Sequence, residues 1–200
     1  NHEPVKGTGL QRTYPNLMTQ EGARGQEYNA WSADGGNTPD HTTILPFTRM
    51  LSGPMDYTPG NFDFDYKTPN NAKVQTTLAS QLALYVIIFS PLQMASDLPE
   101  NYEGKPEFKF VKDVTCTWSD TKVLDSKIGE YVIMARKDWA GKNWYLGAIT
   151  NQDARQQKVS LSFLDPNQTY TAEIYRDGAG ANYKTNPYPE KKKKKEVNSK

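Results

Sequence analysis

The hydrophobic pattern changes its period part-way along the chain, and this change limits the possible folds more than any other feature. Between residues 72 and 89 the apolar side chains recur at helical spacing, on Val74, Leu78, Leu82, Tyr85 and Phe89. Beyond residue 106 the apolar residues alternate or form strand-length blocks. A segment rich in Pro, Glu and Gly at 98–106 separates the two patterns and is interpreted as a linker. The sequence therefore predicts an α/β part at 1–105 and a β part at 106–200.

The first part is predicted to alternate strands with helices. Asp40 is a candidate N-cap for a short helix that Pro46 limits in length. Residues 55–57 predict a short strand, 72–89 a helix whose last turn could equally continue into a strand, and 91–95 a buried strand. Such alternation is typical of βα units around a parallel sheet. About three units match the closing portion of a (β/α)8 barrel.

The second part contains four runs with the length and composition of strands. They lie at 131–136, 144–149, 159–163 and 170–174, and turn-forming residues separate them. In the third run the apolar residues 159, 161 and 163 are predicted to face the core, while the serines between them face water. The pattern predicts an antiparallel β domain over 106–200. We expect it to be truncated at its carboxy-terminal end.

Two acidic residues near the start lie on a predicted loop. Gly22 and Gly25 break any helix there, so Glu21 and Glu27 are expected on backbone with special conformations. The aromatic Tyr28 follows directly. Carboxylates on a shaped loop beside an aromatic ring indicate a site, although a lone loop glutamate is more commonly only solvated.

Five motifs follow one another within the first 60 residues. They occupy 2–3, 12–16, 21–28, 41–49 and 53–60. In content and order they resemble glycoside hydrolase family 97, which holds bacterial α-glucosidases and α-galactosidases. The resemblance is dense over 2–60 and looser beyond. It implies an amino-terminal β-sandwich and most of the barrel before Asn1, so we expect a carboxy-terminal fragment, and it implies a periplasmic location.

The resemblance implies roles for four residues. Glu27 matches the general acid, and Glu3 matches the base on the attacking water of inverting members. Glu3, Glu21 and Glu27 match glutamates that help to hold a calcium ion, and His2 matches a histidine at the sugar subsite. Glycoside hydrolysis does require two carboxyl groups. Three converging carboxylates would need a cation, and calcium prefers such oxygen ligands.

These features predict a calcium-dependent, exo-acting α-glycosidase that hydrolyses terminal α-glucosides of starch or malto-oligosaccharide type. A retaining α-galactosidase of the same family is the alternative. The mechanism stays open between inverting and retaining, because the upstream nucleophile or base would precede Asn1. An alternative from another class is a non-catalytic carbohydrate-binding module on the β part, with Trp118, Trp139 and Trp144 stacking on sugars.

Charge and composition argue against other classes of partner. The net charge of +1 gives no global field to attract nucleic acid or an anionic membrane. The lysine run at 191–195 lacks interleaved aromatics, so a solvated edge or turn is predicted there. The longest apolar run, 82–89, is too short to cross a bilayer. Cys116 is the single cysteine, which excludes an internal disulfide, and a buried inert thiol is predicted.

Three further residues keep two interpretations each. His41 opens the predicted short helix and could cap or pack there, or contact substrate. Arg24 could orient a carboxylate through two hydrogen bonds or lie on the surface. Asp56 lies where a barrel strand would end on its catalytic face, although contact with substrate is its less favoured interpretation.

Overall fold

The computed structural model describes residues 9–32, 35–67 and 72–199. The helices are α1 (Leu10–Thr13), α2 (Tyr28–Trp31), α3 (Pro39–Ile44), α4 (Leu78–Ile87), α5 (Pro99–Tyr102) and α6 (Phe108–Asp113). Two 3-10 helices occupy Leu45–Phe47 and Arg49–Ser52. The strands are β1 (Trp118–Lys127), β2 (Tyr131–Asp138), β3 (Trp144–Thr150), β4 (Tyr170–Asp177) and β5 (Glu190–Val197). The described helices precede these strands, but α5 lies in the predicted linker and α6 lies in the part predicted to be β, where no helix was expected.

Helix α4 lies at the centre of the fold and is apolar on nearly every side, as expected of a helix that is covered all round. Its start is fixed by the Thr77 hydroxyl, which accepts a hydrogen bond from the Ser80 backbone N–H. It ends at Ile87 because Ile88 adopts an extended backbone. The predicted helix over 72–89 was therefore too long at both ends. No helix in the described ranges has the length and apolarity needed to cross a membrane.

Helix α3 also differs from its prediction at its start. Pro39 is its first residue and Thr38 is the N-cap, so the assignment of Asp40 as the N-cap was wrong. Proline is favoured at the first helical position, where its missing N–H costs nothing. Leu45–Phe47 continues the chain as a 3-10 helix around Pro46, which explains why the helix stays short.

Three extended segments of the first part lie side by side. Gln20 and Met55 form an isolated parallel bridge, and the Asp56 backbone N–H donates to the Gln20 carbonyl at 2.9 Å. On the other side the Met55 N–H donates to the Phe89 carbonyl at 3.1 Å. The Gln20–Met55 bridge is parallel, as consecutive barrel strands would be. The barrel itself stays a prediction.

The predicted buried strand at 91–95 was wrong. These residues belong to no strand, and both Leu92 and Met94 are exposed. The extended segment comes immediately after α4 instead, where Ile88 and Ser90 are buried. The apolar residues after Pro91 resembled a strand only in composition.

The second part forms two antiparallel sheets, which confirms the predicted antiparallel pairing. One sheet has the order β1-β2-β3, and the other is the pair β4-β5. Strand β1 was not predicted, because it is an edge strand with mostly charged and polar residues. Strand β5 carries the lysine run along its length, and those lysines are exposed. Lysines on an edge strand disfavour pairing with a further chain.

The predicted strand at 159–163 is absent as a strand. Val159, Leu161 and Phe163 are half-buried and the two serines between them are exposed, so the alternation of burial is present. The backbone nevertheless joins no ladder. Phe163 packs against Trp144 of β3, with ring centroids 4.9 Å apart. Side-chain packing, without strand pairing, satisfies the pattern here.

One hydrophobic core joins the two parts of the chain. Leu84 and Ile87 of α4 pack with Val132 and Met134 of β2 and Ile149 of β3. A second core lies around Phe62 and Phe64, with Leu78 and Leu82 of α4 and Tyr102 of α5. Helix α4 contributes to both cores and therefore holds the parts together.

A buried arginine also connects α4 to the three-stranded sheet. Arg136 of β2 donates from Nε to the Val86 carbonyl at 2.7 Å and from Nη1 to the Thr121 hydroxyl at 3.0 Å. Its guanidinium carbon lies 5.6 Å from the centroid of the Phe89 ring and 6.0 Å from that of Trp118. Burial lowers the pKa of Arg136 to about 10, so the group remains charged at neutral pH. The charge lies near the carboxy-terminal end of α4, where the helix dipole favours a cation.

Gly147 of β3 marks the closest approach of the sheet to α4. A Cβ built there would lie 2.9 Å from the Ala83 carbonyl oxygen and 2.9 Å from the Val86 Cβ. We expect Gly147→Ala to reduce the free energy of unfolding by about 1–3 kcal/mol, because the helix backbone must shift. Denaturant unfolding measures this loss. Ala148→Val, at the exposed neighbouring position, should change it by less than about 0.5 kcal/mol; equal effects would contradict the close-approach argument.

Candidate active site

The Glu27 carboxylate is held by a threonine from a distant part of the chain. Thr58 donates a hydrogen bond from its hydroxyl to Glu27 Oε2 at 2.6 Å. The same hydroxyl accepts from the Gln26 backbone N–H at 2.7 Å. Glu27 immediately precedes α2, and Thr58 follows the extended segment at Met55, so the contact ties the loop to the neighbouring segment.

A buried pair of side-chain amides, Gln26 and Gln81, holds the backbone next to this contact. Gln26 donates from Nε2 to the Thr58 carbonyl at 2.8 Å and to Gln81 Oε1 at 2.9 Å. Gln81 of α4 donates back to Gln26 Oε1 at 2.8 Å and to the Thr76 hydroxyl at 3.0 Å. Buried amides are costly unless their hydrogen bonds are made, so a satisfied pair fixes one arrangement. The loop that carries Glu27 is thereby fastened to the central helix.

Gly25 leaves room for the carboxylate. A Cβ built at this position would lie 2.2 Å from Glu27 Oε2 and 2.7 Å from the Thr58 hydroxyl oxygen. Any side chain at residue 25 would therefore enter the space that the hydrogen bond occupies. The predicted need for glycine on this loop has a steric basis here.

Two tyrosines lie near Glu27 and remain neutral. Burial raises the pKa of both Tyr57 and Tyr66, and the negative charge of Glu27 raises each of them further. Tyr66 donates its hydroxyl proton to the Gln26 carbonyl at 3.3 Å. These phenols stay protonated well above neutral pH and bring no second negative charge to the carboxylate.

The backbone that carries Glu21 is held by a buried arginine. Arg49 donates from Nε to the Glu21 carbonyl at 2.7 Å and from its terminal nitrogens to the carbonyls of Gln20, Gly53 and Pro54. Desolvation by burial lowers the pKa of Arg49. Both Arg49 and the Glu21 side chain are buried. One guanidinium thus joins the Glu21 segment to the turn at Gly53.

The other side of the loop is packed against α3. His41 lies 2.8 Å from the Arg24 carbonyl through Nε2, which must carry a proton to donate there. Asn37 donates from Nδ2 to the Gly25 carbonyl at 2.8 Å. The guanidinium of Arg24 lies over the Tyr28 ring, 4.6 Å from its centroid. For His41 this favours the packing interpretation.

Acidification is expected to loosen this side of the loop. Burial lowers the pKa of His41 from its ordinary value near 6.5, and the Arg24 charge lowers it further. The hydrogen bond to the Arg24 carbonyl and the Asp40 charge raise the pKa but do not cancel this decrease. The unfolded chain therefore binds a proton more readily, so stability falls as pH drops below about 6.5. Thermal unfolding at pH 7 and pH 5 measures this. His41→Gln keeps a hydrogen-bond donor but has no titrating group, so it should lose less stability than the wild type between pH 7 and pH 5. Equal losses would mean that His41 is not the group responsible.

Asp56 lies beside Gln20, next to the parallel bridge. Its Oδ1 atom is buried and has no hydrogen-bond partner among the described residues. The position is compatible with the strand-end interpretation. Contact with substrate stays a prediction.

The calcium prediction extends beyond the described residues. Glu21 and Glu27 lie on the same described loop, whereas Glu3 and His2 lie outside the described ranges. Within those ranges no group of three or more His, Cys, Asp or Glu side chains is placed to hold a metal. The chemistry of the donor set fits calcium, since the proposed ligands are all carboxylates. With one of the three glutamates outside the description, convergence stays a prediction.

The tryptophans of the β part differ in exposure. Trp118 packs edge-to-face on Tyr145, and Trp144 packs on Phe163. Trp139 is exposed, at 69% of its surface. A sugar platform built from all three rings would need two of them to leave their packing partners.

Comparison with known proteins places these observations in a family. Residues 117–200 match the family model described as the glycosyl-hydrolase 97 carboxy-terminal domain, oligomerisation. The whole chain is similar to a glycoside hydrolase family 97 enzyme from Pseudoalteromonas sp. strain K8, solved in complex with acarbose, with 49% identity and a TM-score of 0.90 over 98% of this chain. The chain belongs to glycoside hydrolase family 97.

Two curated relatives extend the comparison. A retaining α-galactosidase of Bacteroides thetaiotaomicron is 39% identical over 96% of this chain. A probable retaining α-galactosidase of Streptomyces bingchenggensis is 33% identical over 85% of it. The chain spans 30% and 25% of these two relatives and 31% of the Pseudoalteromonas enzyme.

Several residues of this candidate site were not predicted. They are Gln26, Arg49, Thr58 and Gln81. Gln81 gave the clearest signal, because it is a buried polar residue in an otherwise apolar helical run. Thr58 and Arg49 lie within the motifs of the first 60 residues, but only the fold brings them to Glu27 and Glu21. No local pattern marks such a long-range contact.

Proposed function

We propose that this chain supplies the general acid, Glu27, to an α-glycosidase that hydrolyses α-linked oligosaccharides. The observation that carries the proposal is the fixed position of the Glu27 carboxyl, with Thr58 at 2.6 Å and a satisfied amide pair beneath it. Catalytic groups need this kind of preorganised support. Family membership supports the reaction class.

In the proposed reaction Glu27 transfers its proton to the glycosidic oxygen while the bond from that oxygen to the anomeric carbon breaks. A second carboxyl completes the reaction. Glu3 takes a proton from the attacking water if the mechanism is inverting. If the mechanism is retaining, a carboxylate from elsewhere in the whole protein attacks the anomeric carbon and forms a glycosyl ester. Water then hydrolyses this ester while the deprotonated Glu27 takes a proton from the water. Tyr57 and Tyr66 are protonated, so they add no negative charge near Glu27.

Calcium is proposed as the cofactor, with Glu3, Glu21 and Glu27 as its ligands from this chain. When bound, it would offset repulsion among the carboxylates and polarise oxygen atoms near the reaction centre. The Arg49 guanidinium, which donates to the Glu21 carbonyl, holds the Glu21 backbone in place for this role. His2 is proposed to contact the sugar.

The preferred substrate is proposed to be an α-glucoside, cleaved from the chain end. The Pseudoalteromonas enzyme, at 49% and 48% identity in two structures, is described in complex with acarbose and with panose. Both compounds contain α-linked glucose-type units. The curated α-galactosidases are less similar, at 39% and 33% identity, and support the alternative substrate. A periplasmic location is also proposed, on the family resemblance alone.

The test is an assay of the full-length protein with paired substrates. Maltose, panose and p-nitrophenyl α-glucoside are compared with melibiose and p-nitrophenyl α-galactoside, before and after chelation with EGTA. We expect faster cleavage of the glucosides, loss of activity on chelation, and recovery with Ca²⁺. Preference for galactosides would favour the alternative enzyme. Binding of maltotriose without hydrolysis of any substrate would favour a binding module and overturn the proposal.

A further inference from the structure

We propose that Thr58 is a positioning residue that holds Glu27 Oε2 and thereby orients the carboxyl group for proton transfer. The inference rests on the proposed role of Glu27 as general acid and adds a residue that acts through it. Thr58 contacts Glu27 with its hydroxyl at 2.6 Å. It lies 31 residues further along the chain, so no local sequence pattern connects the two.

The direction of the hydrogen bonds around Thr58 follows from its neighbours. A hydroxyl has one proton to donate and can accept two hydrogen bonds. The Gln26 backbone N–H, 2.7 Å away, can only donate, so it uses an acceptor site of the Thr58 oxygen. Among the described residues Glu27 Oε2 is the acceptor within reach of the hydroxyl proton. Thr58 therefore donates to Oε2.

This hydrogen bond favours one orientation of the carboxyl group. If Oε2 turned away from Thr58, the hydroxyl proton would lack an acceptor among the described residues, because the Gln26 N–H can only donate. Such an orphaned donor is costly at a partly buried position. The contact therefore holds Oε2 against Thr58 and fixes the plane of the carboxyl group.

The surroundings keep Thr58 from turning away. Its carbonyl accepts from Gln26 Nε2 at 2.8 Å, and Gln26 is in turn bonded to Gln81 of α4. Gly25 lies against the contact so closely that a Cβ would touch both Glu27 and Thr58. Backbone and side chain of Thr58 are therefore held by the same loop whose acid it orients.

The test compares hydroxyl-bearing and hydroxyl-free variants of the full-length enzyme. Thr58→Val and Thr58→Ala remove the donor, and Thr58→Ser keeps it. Each is assayed with an α-linked disaccharide and with the p-nitrophenyl glycoside of the sugar that the wild type prefers. We expect Val and Ala to lower kcat on the disaccharide about 10–100-fold, since one hydrogen bond to an ionisable group is lost. The aryl glycoside should lose much less, and Ser should retain most activity on both.

The matched control is Thr48→Val, which makes the same chemical change at an exposed threonine whose hydroxyl donates to the Ile44 carbonyl. It should leave both activities unchanged. Thermal unfolding of every variant distinguishes loss of fold from loss of positioning. If Thr58→Val does not fold, Thr58→Ala is used as the variant without the hydroxyl. In a Glu27→Gln background, Thr58→Val should add little, because the acid is already gone.

The outcomes separate this inference from the proposed function. If Glu27→Gln slows the disaccharide selectively while Thr58→Val and Thr58→Ala slow both substrates equally, Thr58 is only structural and the inference fails alone. If Thr58→Ser is as impaired as Val, the hydroxyl is not what matters. If Glu27→Gln itself shows no dependence on the leaving group, the assignment of the acid fails and the positioning role fails with it.

Discussion

Replacing Glu27 by glutamine in the full-length protein should slow hydrolysis of an α-linked disaccharide by ~10²–10⁴-fold, the usual contribution of general acid catalysis. Glutamine keeps the shape and a carbonyl oxygen that can still accept from Thr58, but it has no acidic proton. Aryl glycosides should be affected much less, because their leaving group departs without protonation. Steady-state kinetics on the two substrates measures the difference.

Metal content must be measured on the same variant, because Glu27 is also a proposed calcium ligand. Loss of the metal would slow both substrates and is distinguished by adding excess Ca²⁺. A variant that retains its metal and slows both substrates equally would place the acid elsewhere. Glu21, on the same loop, would then be the next residue to replace.

The second large effect is expected from Arg49→Met, which should lower the free energy of unfolding by about 3 kcal/mol. Methionine fills similar volume but donates no hydrogen bond, so the carbonyls of Glu21, Gly53 and Pro54 lose the Arg49 donor. The Gln20 carbonyl keeps only the Asp56 N–H. Denaturant unfolding measures the loss. Calcium affinity should fall in parallel, because the backbone of Glu21 is no longer held.

Arg12→Met is the matched control, since Arg12 is exposed in α1. Its effect should stay within about 0.5 kcal/mol. Arg49→Lys should fall between the two, because one ammonium cannot reach every carbonyl of the fork-shaped guanidinium. If the Met variant and the wild type are equally stable, the desolvation free energy of the Arg49 cation equals the stabilisation that its hydrogen bonds provide.

The sequence predicted the elements whose patterns are local. The helix around Leu78–Ile87 and the strands β2, β3 and β4 follow from apolar periodicity, although the helix boundaries were set by Thr77 and Ile88 rather than by hydrophobicity. Strand β1 was missed because a charged edge strand has no apolar period. The segment 159–163 shows the reverse case, in which alternation is present and pairing is not.

The candidate site was predictable to a smaller extent. Glu21 and Glu27 were identified from a loop signal and a family resemblance, and both lie in the described structure. The groups that hold them, Thr58 and Arg49, come from segments 31 and 28 residues away. Such contacts depend on which extended segments become neighbours. Sequence patterns describe a segment and its own faces, and they do not specify its partner.

The position of α4 has a consequence for how such a protein can change over time. One side of the helix meets β3 at Gly147, and another side supports the Glu27 loop through Gln81. Substitutions in the β part that shift α4 should therefore also displace Glu27, without any substitution near it. Recombination that exchanges the β part between relatives should succeed only when the helix, its glycine contact and its glutamine are inherited together.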